Sequence, residues 1–230
     1  MENRSQLQYP LDTESKAAVR QVVDEILVDK AMDIVWNNSH WMSFIESSVW
    51  ARSLTNSATV AYVAGTNLAT GATSGSMAEL RTDDQSDTKL LFTSAKTQQR
   101  IRSQFKMSSG AMNNQVAYIV RGDTSNDTYY GFMVVDATLY AVTRNGGAQT
   151  ASVLRGISAD SLYEVEARFY PSNRVVFYVD RTATATISTN IPTGVNLQML
   201  GNLSIQNSTT ASKAMTVYYY EYLQQLTPFK

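Results

Sequence analysis

From Leu54 onward the chain is written in short runs that alternate polar with apolar residues. Gly, Ser, Thr, Asn or Asp close each run, and no helical pattern intervenes. A period of two sends successive side chains to opposite faces, so each run describes a strand buried on one side. In Arg100–Met107, Ile101, Phe105 and Met107 alternate with Arg100, Arg102, Gln104 and Lys106. In Ser161–Tyr170, Leu162, Val165, Ala167 and Phe169 stand against Glu164, Glu166 and Arg168. Comparable runs occupy Ala58–Val63, Ser76–Thr82, Lys89–Thr93, Gln115–Arg121, Tyr129–Val135, Leu139–Thr143 and Ala148–Leu154. Arg174–Asp180, Ala183–Thr189, Leu197–Gln206 and Ala214–Leu223 complete the set. Asn145-Gly146-Gly147 has the residues that tolerate the positive φ of a tight hairpin, and Asp180-Arg181 joins a second pair of runs. Many short strands with no helices between them predict antiparallel sheets in a sandwich or jelly roll.

The region before Leu54 reads differently. Val19, Val22, Val23, Ile26 and Leu27 recur at helical spacing, with Lys16, Arg20, Asp24 and Glu25 on the opposite side. Asp12 or Thr13 can cap that helix, and Glu14 suits its first turn. The pattern predicts a helix from about Glu14 to about Lys30, packed on its own domain or used as an anchoring arm. Residues 32–52 hold Trp36, Trp41, Phe44 and Trp50 and read as a hinge seating that arm, or as a sugar-stacking platform. The expected organisation is a helical arm and aromatic hinge over 1–53, then a sandwich over 54–230.

Composition removes several function classes. The sequence has no Cys, so disulfides, Cys-ligated zinc and iron–sulfur centres are excluded. Net charge is −1 and 17% of residues are charged, so no basic domain invites nucleic acid. No apolar stretch is long enough for a membrane-spanning helix. The opening MENRSQLQYPLD lacks a basic region followed by an apolar one, which predicts synthesis in a cytoplasm without export. The charged fraction lies below the roughly 25% usual for globular domains. A surface of Ser, Thr, Asn and Gln suits dense packing against identical neighbours or a solid partner.

The stretch from Ser76 to Gly194 resembles concanavalin A-like, laminin-G-like sandwich modules of bacteriophage structural proteins. The likeness is carried by SMAELRTD (76–83), RIRSQFKM (100–107), LYAVTRNGG (139–147), SLYEVEARFYPSNRVVFYVD (161–180) and ATATISTNIPTG (183–194). Arg181 stands where that pattern has Gly after FYVD. The resemblance implies a virion component: capsid decoration or cement, a head fibre, or a tail or baseplate part.

The same strands carry the candidates for catalytic chemistry. A retaining glucanase needs paired carboxylates at alternate positions, about 5–5.5 Å apart. Glu164 and Glu166 share a face, but the third position is Arg168, whose charge holds both carboxylates ionised and removes the acid. His40 is the sole histidine and has no Ser nucleophile elbow to serve, so it reads as a loop or interface residue. Asp83, Asp84 and Asp87, and Asp123 with Asn126 and Asp127, could hold Ca²⁺, although Asp and Asn are also ordinary turn formers. Arg121-Gly122-Asp123 spells an integrin-type tripeptide too short to carry weight. No cofactor motif is visible.

The sequence therefore predicts a mainly β, non-catalytic protein: a concanavalin A-like antiparallel sandwich behind a helical arm, located in a virion and read first as a capsid decoration, cement or head-fibre protein attached to the shell. Its expected partners are other virion proteins and copies of itself, met through Val19, Val22, Val23, Ile26 and Leu27. The alternative is a lectin-like module of a tail or surface protein recognising host glycan.

Overall fold

The computed structural model describes residues 41–43, 50–62, 65–82, 98–123, 127–171, 173–193 and 200–224. The chain divides into two compact units, Met1–His40 and Trp41–Lys230, and every described residue belongs to the second. The helical arm with Val19, Val22, Val23, Ile26 and Leu27 lies outside the described residues. So do His40, the expected strand Lys89–Thr93, and the calcium candidates Asp83, Asp84 and Asp87.

The strands in chain order are β1 (Trp41–Ser43), β2 (Trp50–Thr55), β3 (Thr59–Tyr62), β4 (Thr66–Ala69), β5 (Met77–Thr82), β6 (Gln99–Met107), β7 (Gln115–Asp123) and β8 (Thr128–Val135). They continue as β9 (Thr138–Asn145), β10 (Ala148–Gly156), β11 (Tyr163–Tyr170), β12 (Arg174–Val179), β13 (Thr182–Ile187), β14 (Leu200–Asn207) and β15 (Ala214–Gln224). An eight-stranded sheet runs β13-β12-β11-β6-β15-β4-β3, with β1 added along β15. A seven-stranded sheet runs β10-β9-β8-β7-β14-β5-β2. Neighbours pair antiparallel throughout both. The expected β-sandwich is the architecture found.

The alternation that predicted strands also builds the core. Ile101, Phe105 and Met107 of β6 are buried with Tyr163, Val165, Ala167 and Phe169 of β11 and Phe177 of β12. They meet Leu80, Ile119, Tyr130, Phe132, Leu139, Leu203 and Ile205 of the other sheet. Tyr130 stacks on Phe169 at 5.0 Å, and Phe132 meets Phe177 edge-on at 5.5 Å. Each fully buried Val, Leu, Ile, Phe or Met among them contributes roughly 1.5–3 kcal/mol. A smaller cluster of Val120, Tyr129, Met133 and Val142 occupies the outward side of β7, β8 and β9.

Both foreseen hairpins form. Asn145 pairs with Ala148 across Gly146 and Gly147, whose φ values are +55° and +88°. Val179 pairs with Thr182 across Asp180 and Arg181, at +50° and +67°. The second turn thus takes the left-handed geometry that usually selects Gly or Asn, with Arg at one of its central positions.

Two expectations change. Leu162 does not join the buried row of Val165, Ala167 and Phe169: it is 50% exposed, and the strand's buried series starts at Tyr163. Position 162 has the parity of Glu164 and Glu166, so a strand continued back to it points it outward. The expected boundary before Leu54 falls inside β2, which pairs with β5 from Trp50 to Thr55. Trp50 is 4% exposed and meets Tyr220 edge-on at 5.6 Å, so part of the segment read as a hinge is sheet.

Candidate functional site on the outward face of the larger sheet

The polar halves of β6, β11 and β12 lie on one surface, the outward face of the eight-stranded sheet. Register across the eight-stranded sheet aligns Tyr178 of β12, Glu166 of β11, Arg102 of β6 and Glu221 of β15 in one row. The next row contains Glu164, Gln104 and Tyr219, and the row on the other side Arg168 and Arg100. Carboxylate and guanidinium groups therefore alternate across the strands from Glu166 through Arg102 to Glu221.

Each arginine reaches a carboxylate one row away. Arg102 donates from Nε to Glu164 Oε1 at 2.9 Å, and its Nη2 bonds the same oxygen. Arg168 donates from Nε to Glu166. Arg100 donates from Nη2 to Glu221 Oε1 at 3.3 Å. Tyrosines flank these pairs: the Arg168 guanidinium lies 4.5 Å from the Tyr178 ring centre and that of Arg102 lies 6.0 Å from Tyr219. Such guanidinium–ring contacts add to the fixing of both groups.

Between these side chains the surface sinks into a recess of about 240 Å³, lined by Arg102, Glu164, Glu166, Arg168, Tyr178 and Arg181. Arg181 reaches it from the β12–β13 turn, with Nε 3.5 Å from Glu164 Oε1. The turn is held by Asp180, which accepts the Glu164 backbone N–H at 3.1 Å and binds Arg155 Nη1 at 2.9 Å.

Two groups of this face are shifted by their surroundings. Burial alone would lower the Arg102 pKa, but the Glu164 hydrogen bond, Tyr219 and the two carboxylates outweigh it and raise it. Burial raises the Tyr219 pKa; Arg102 opposes the rise and nearby carboxylates reinforce it. Tyr219 is thus a phenol, able to donate. The face offers fixed donors and acceptors, arranged for a ligand with both.

The sequence placed Glu164, Glu166 and Arg168 together, and the structure keeps Arg168 beside Glu166. It did not bring in Arg102, Tyr178 or Arg181, which join only through cross-strand register and the turn. Asp127, a second calcium candidate, instead pairs with Arg144 at 3.2 Å. Among the described residues no three His, Asp or Glu side chains gather as metal ligands. Arg121 of the Arg-Gly-Asp tripeptide is 4% exposed, so its side chain is not displayed to a receptor.

No family profile matches the sequence, and no curated protein matches it either. Solved structures do match the fold. An endo-β-1,4-glucuronan lyase from Trichoderma reesei is 12% identical, with a TM-score of 0.60 over 76% of this chain and 91% of that one. An alginate lyase of polysaccharide lyase family 7 is 12% identical, with a TM-score of 0.55 over 79% and 86%. A botulinum neurotoxin type C chain, which enters cells through interaction with two ganglioside molecules, is 10% identical. Its TM-score is 0.56 over 81% of this chain and 48% of that one. At these identities the likeness shows a shared sandwich fold.

That fold corrects the expectation of a non-catalytic protein. The expectation rested on Arg168 standing where a glucanase has a carboxylate, which argues only against hydrolysis by a carboxylate pair. Two neighbours of the fold are polysaccharide lyases. A lyase breaks its chain by elimination, so a missing acid pair does not speak against it, and the sandwich is no ground for excluding an enzyme.

Proposed function

We propose that this chain engages glycan on the outward face of its eight-stranded sheet, as a component of a bacteriophage particle. The recess lined by Arg102, Glu164, Glu166, Arg168, Tyr178 and Arg181 carries the glycan reading. Sugars present hydroxyl groups that both donate and accept, and they bury flat C–H faces. The recess offers guanidinium donors, carboxylate acceptors and the Tyr178 ring within one small volume. Mutual ion pairing already fixes the long side chains, so less rotamer entropy is lost when a ligand arrives. The shared fold of two polysaccharide lyases and a ganglioside-dependent toxin supports the same reading.

The virion setting is supported by the likeness of Ser76–Gly194 to phage structural modules and by the charge-poor surface. Within that setting, the recess favours a tail or surface protein that meets host glycan. Capsid decoration or a head fibre is favoured by the sequence likeness alone.

A glycan array probed with the full chain and with Tyr178→Ala tests the first part. Binding should be selective and should fall about ten-fold or more in the variant, as expected for a lost aromatic anchor. Absence of binding, or binding indifferent to Tyr178, would reject the site. Incubating each bound glycan with the chain and following unsaturated sugar ends by ultraviolet absorbance separates holding from cutting. Antibody labelling of purified particles tests the setting; particles without label would reject it.

A further inference from the structure

The β12–β13 turn is unusual in what it places at the mouth of the recess. Asp180 and Arg181 both sit in the left-handed region, at +50° and +67°. Asp visits that region with modest cost, but a long L side chain pays a steric penalty there that Gly would not. A residue held against its backbone preference points to a role for its side chain.

The charges say what that role is. Three guanidinium groups and two carboxylates line the recess, leaving one positive charge in surplus. Arg168 is bonded to Glu166, and Arg102 to Glu164 at 2.9 Å. Asp180 is turned to Arg155 and to the Glu164 backbone. Arg181 makes the longer contact, 3.5 Å to a Glu164 already held by Arg102, and its side chain is 79% exposed. The surplus therefore sits at the solvent edge, on a planar fork whose geometry matches a carboxylate bidentately. A neutral sugar can accept hydrogen bonds from that fork but cannot neutralise its charge or match it bidentately.

We infer that Arg181 reads the carboxylate of an acidic sugar, making a carboxylated glycan the ligand class of this recess. The inference rests on the glycan reading above. Arg102, Glu164 and Tyr178 hold the sugar ring, and Arg181 selects for the acid group.

The test uses calorimetric titration of the full chain with oligomers of β-1,4-glucuronate, alginate and sialic acid, each beside its carboxyl-reduced, neutral form. The wild-type chain should bind at least one acidic oligomer roughly ten-fold tighter than its reduced form, the scale of one charge-assisted bidentate contact. Arg181→Gly should erase that preference without lowering the melting temperature, because Gly suits the left-handed turn. Arg181→Lys should keep part of the preference. Equal affinity for acidic and reduced forms, or a preference that survives in Arg181→Gly, overturns the inference. In both cases binding that still depends on Tyr178 leaves the glycan reading standing. If neither form binds, both fall together.

Discussion

Arg121 lies between the sheets, with its guanidinium 3.1 Å from the Tyr222 ring centre and its Nε donating to Gln99 Oε1 at 3.4 Å. Tyr130 donates its hydroxyl to the same Gln99 oxygen, and Tyr220 donates to the Val120 carbonyl. Burial pushes the Tyr222 phenol up to about 12, with Arg121 opposing the shift, and burial likewise pushes Tyr118 up to about 12. Tyr130 and Tyr220 are also raised by burial. An unfolded tyrosine ionises near pH 10, so the native state keeps protons that the unfolded chain would release. The stability linked to Tyr118 and Tyr222 is fully present below about pH 10 and is lost as pH climbs through about 12. A phenolate absorbance titration should show exposed tyrosines ionising first and the buried ones only with a time-dependent unfolding step. All 13 tyrosines ionising reversibly in one phase near pH 10 would refute this. The same scale shows what the sequence could express of the site. Parity alone put Glu164 and Glu166 on one face. Arg102 and Tyr178 became their neighbours only through hydrogen-bond register with β6 and β12, which no single run encodes.

At the level of elements, strands with a strong inside and outside were legible. β6, β11 and β12 alternate buried and half-buried residues along their length, so the period of two is visible in the letters. β4 was not read because its letters do not follow its faces: polar Thr66 is buried with Leu68, while apolar Ala69 is half-buried. β2 was not read because Trp50 is buried but Leu54, of the same parity, is 43% exposed, so the sequence around them shows no clean alternation. A different constraint operates where β7 meets β8. Gly131 has φ +147°, and a Cβ there would stand 2.4 Å from the Ile119 carbonyl oxygen and 2.8 Å from Val120 Cα. These are backbone atoms in the middle of a sheet and cannot swing aside. Gly131→Ala should therefore combine left-handed strain with strand displacement and cost about 2–4 kcal/mol. In a domain of this size that is a fall of roughly 4–16 °C in melting temperature. Gly146→Ala, in an open turn with nothing within 4 Å of the added carbon, should cost markedly less. Differential scanning calorimetry of the two variants decides the matter: equal losses would mean that close approach of the strands is not what requires Gly131.

For the whole molecule, the question is where the cooperative sandwich begins. The two compact units meet in sequence at His40/Trp41, while the change in sequence pattern falls near Leu54. The intervening residues include β1, which pairs with β15 from Trp41 to Ser43, and the first half of β2, which pairs with β5. Trp50 belongs to the main core and packs against Tyr220, whose hydroxyl reaches across to β7. Gly201 has no side chain where one would meet both rings: an added Cβ would lie 2.9 Å from Tyr220 and 3.2 Å from Trp50. The core is thus shaped around this tryptophan. A chain of residues 41–230 should melt in one transition and retain a blue-shifted emission component from buried Trp50. A chain of residues 54–230 loses Trp50, three further residues of the β5 edge pairing and all of β1. Loss of a buried tryptophan alone costs about 3–5 kcal/mol. Since whole domains are stable by only about 5–15 kcal/mol, the shorter chain should melt far lower or fail to fold. Comparing the two by circular dichroism and calorimetry, with Trp50→Ala in the longer chain as the control, separates the ring from the strands. A shorter chain as stable as the longer one would show that the sandwich closes without its Trp50 edge, and would return the boundary to Leu54.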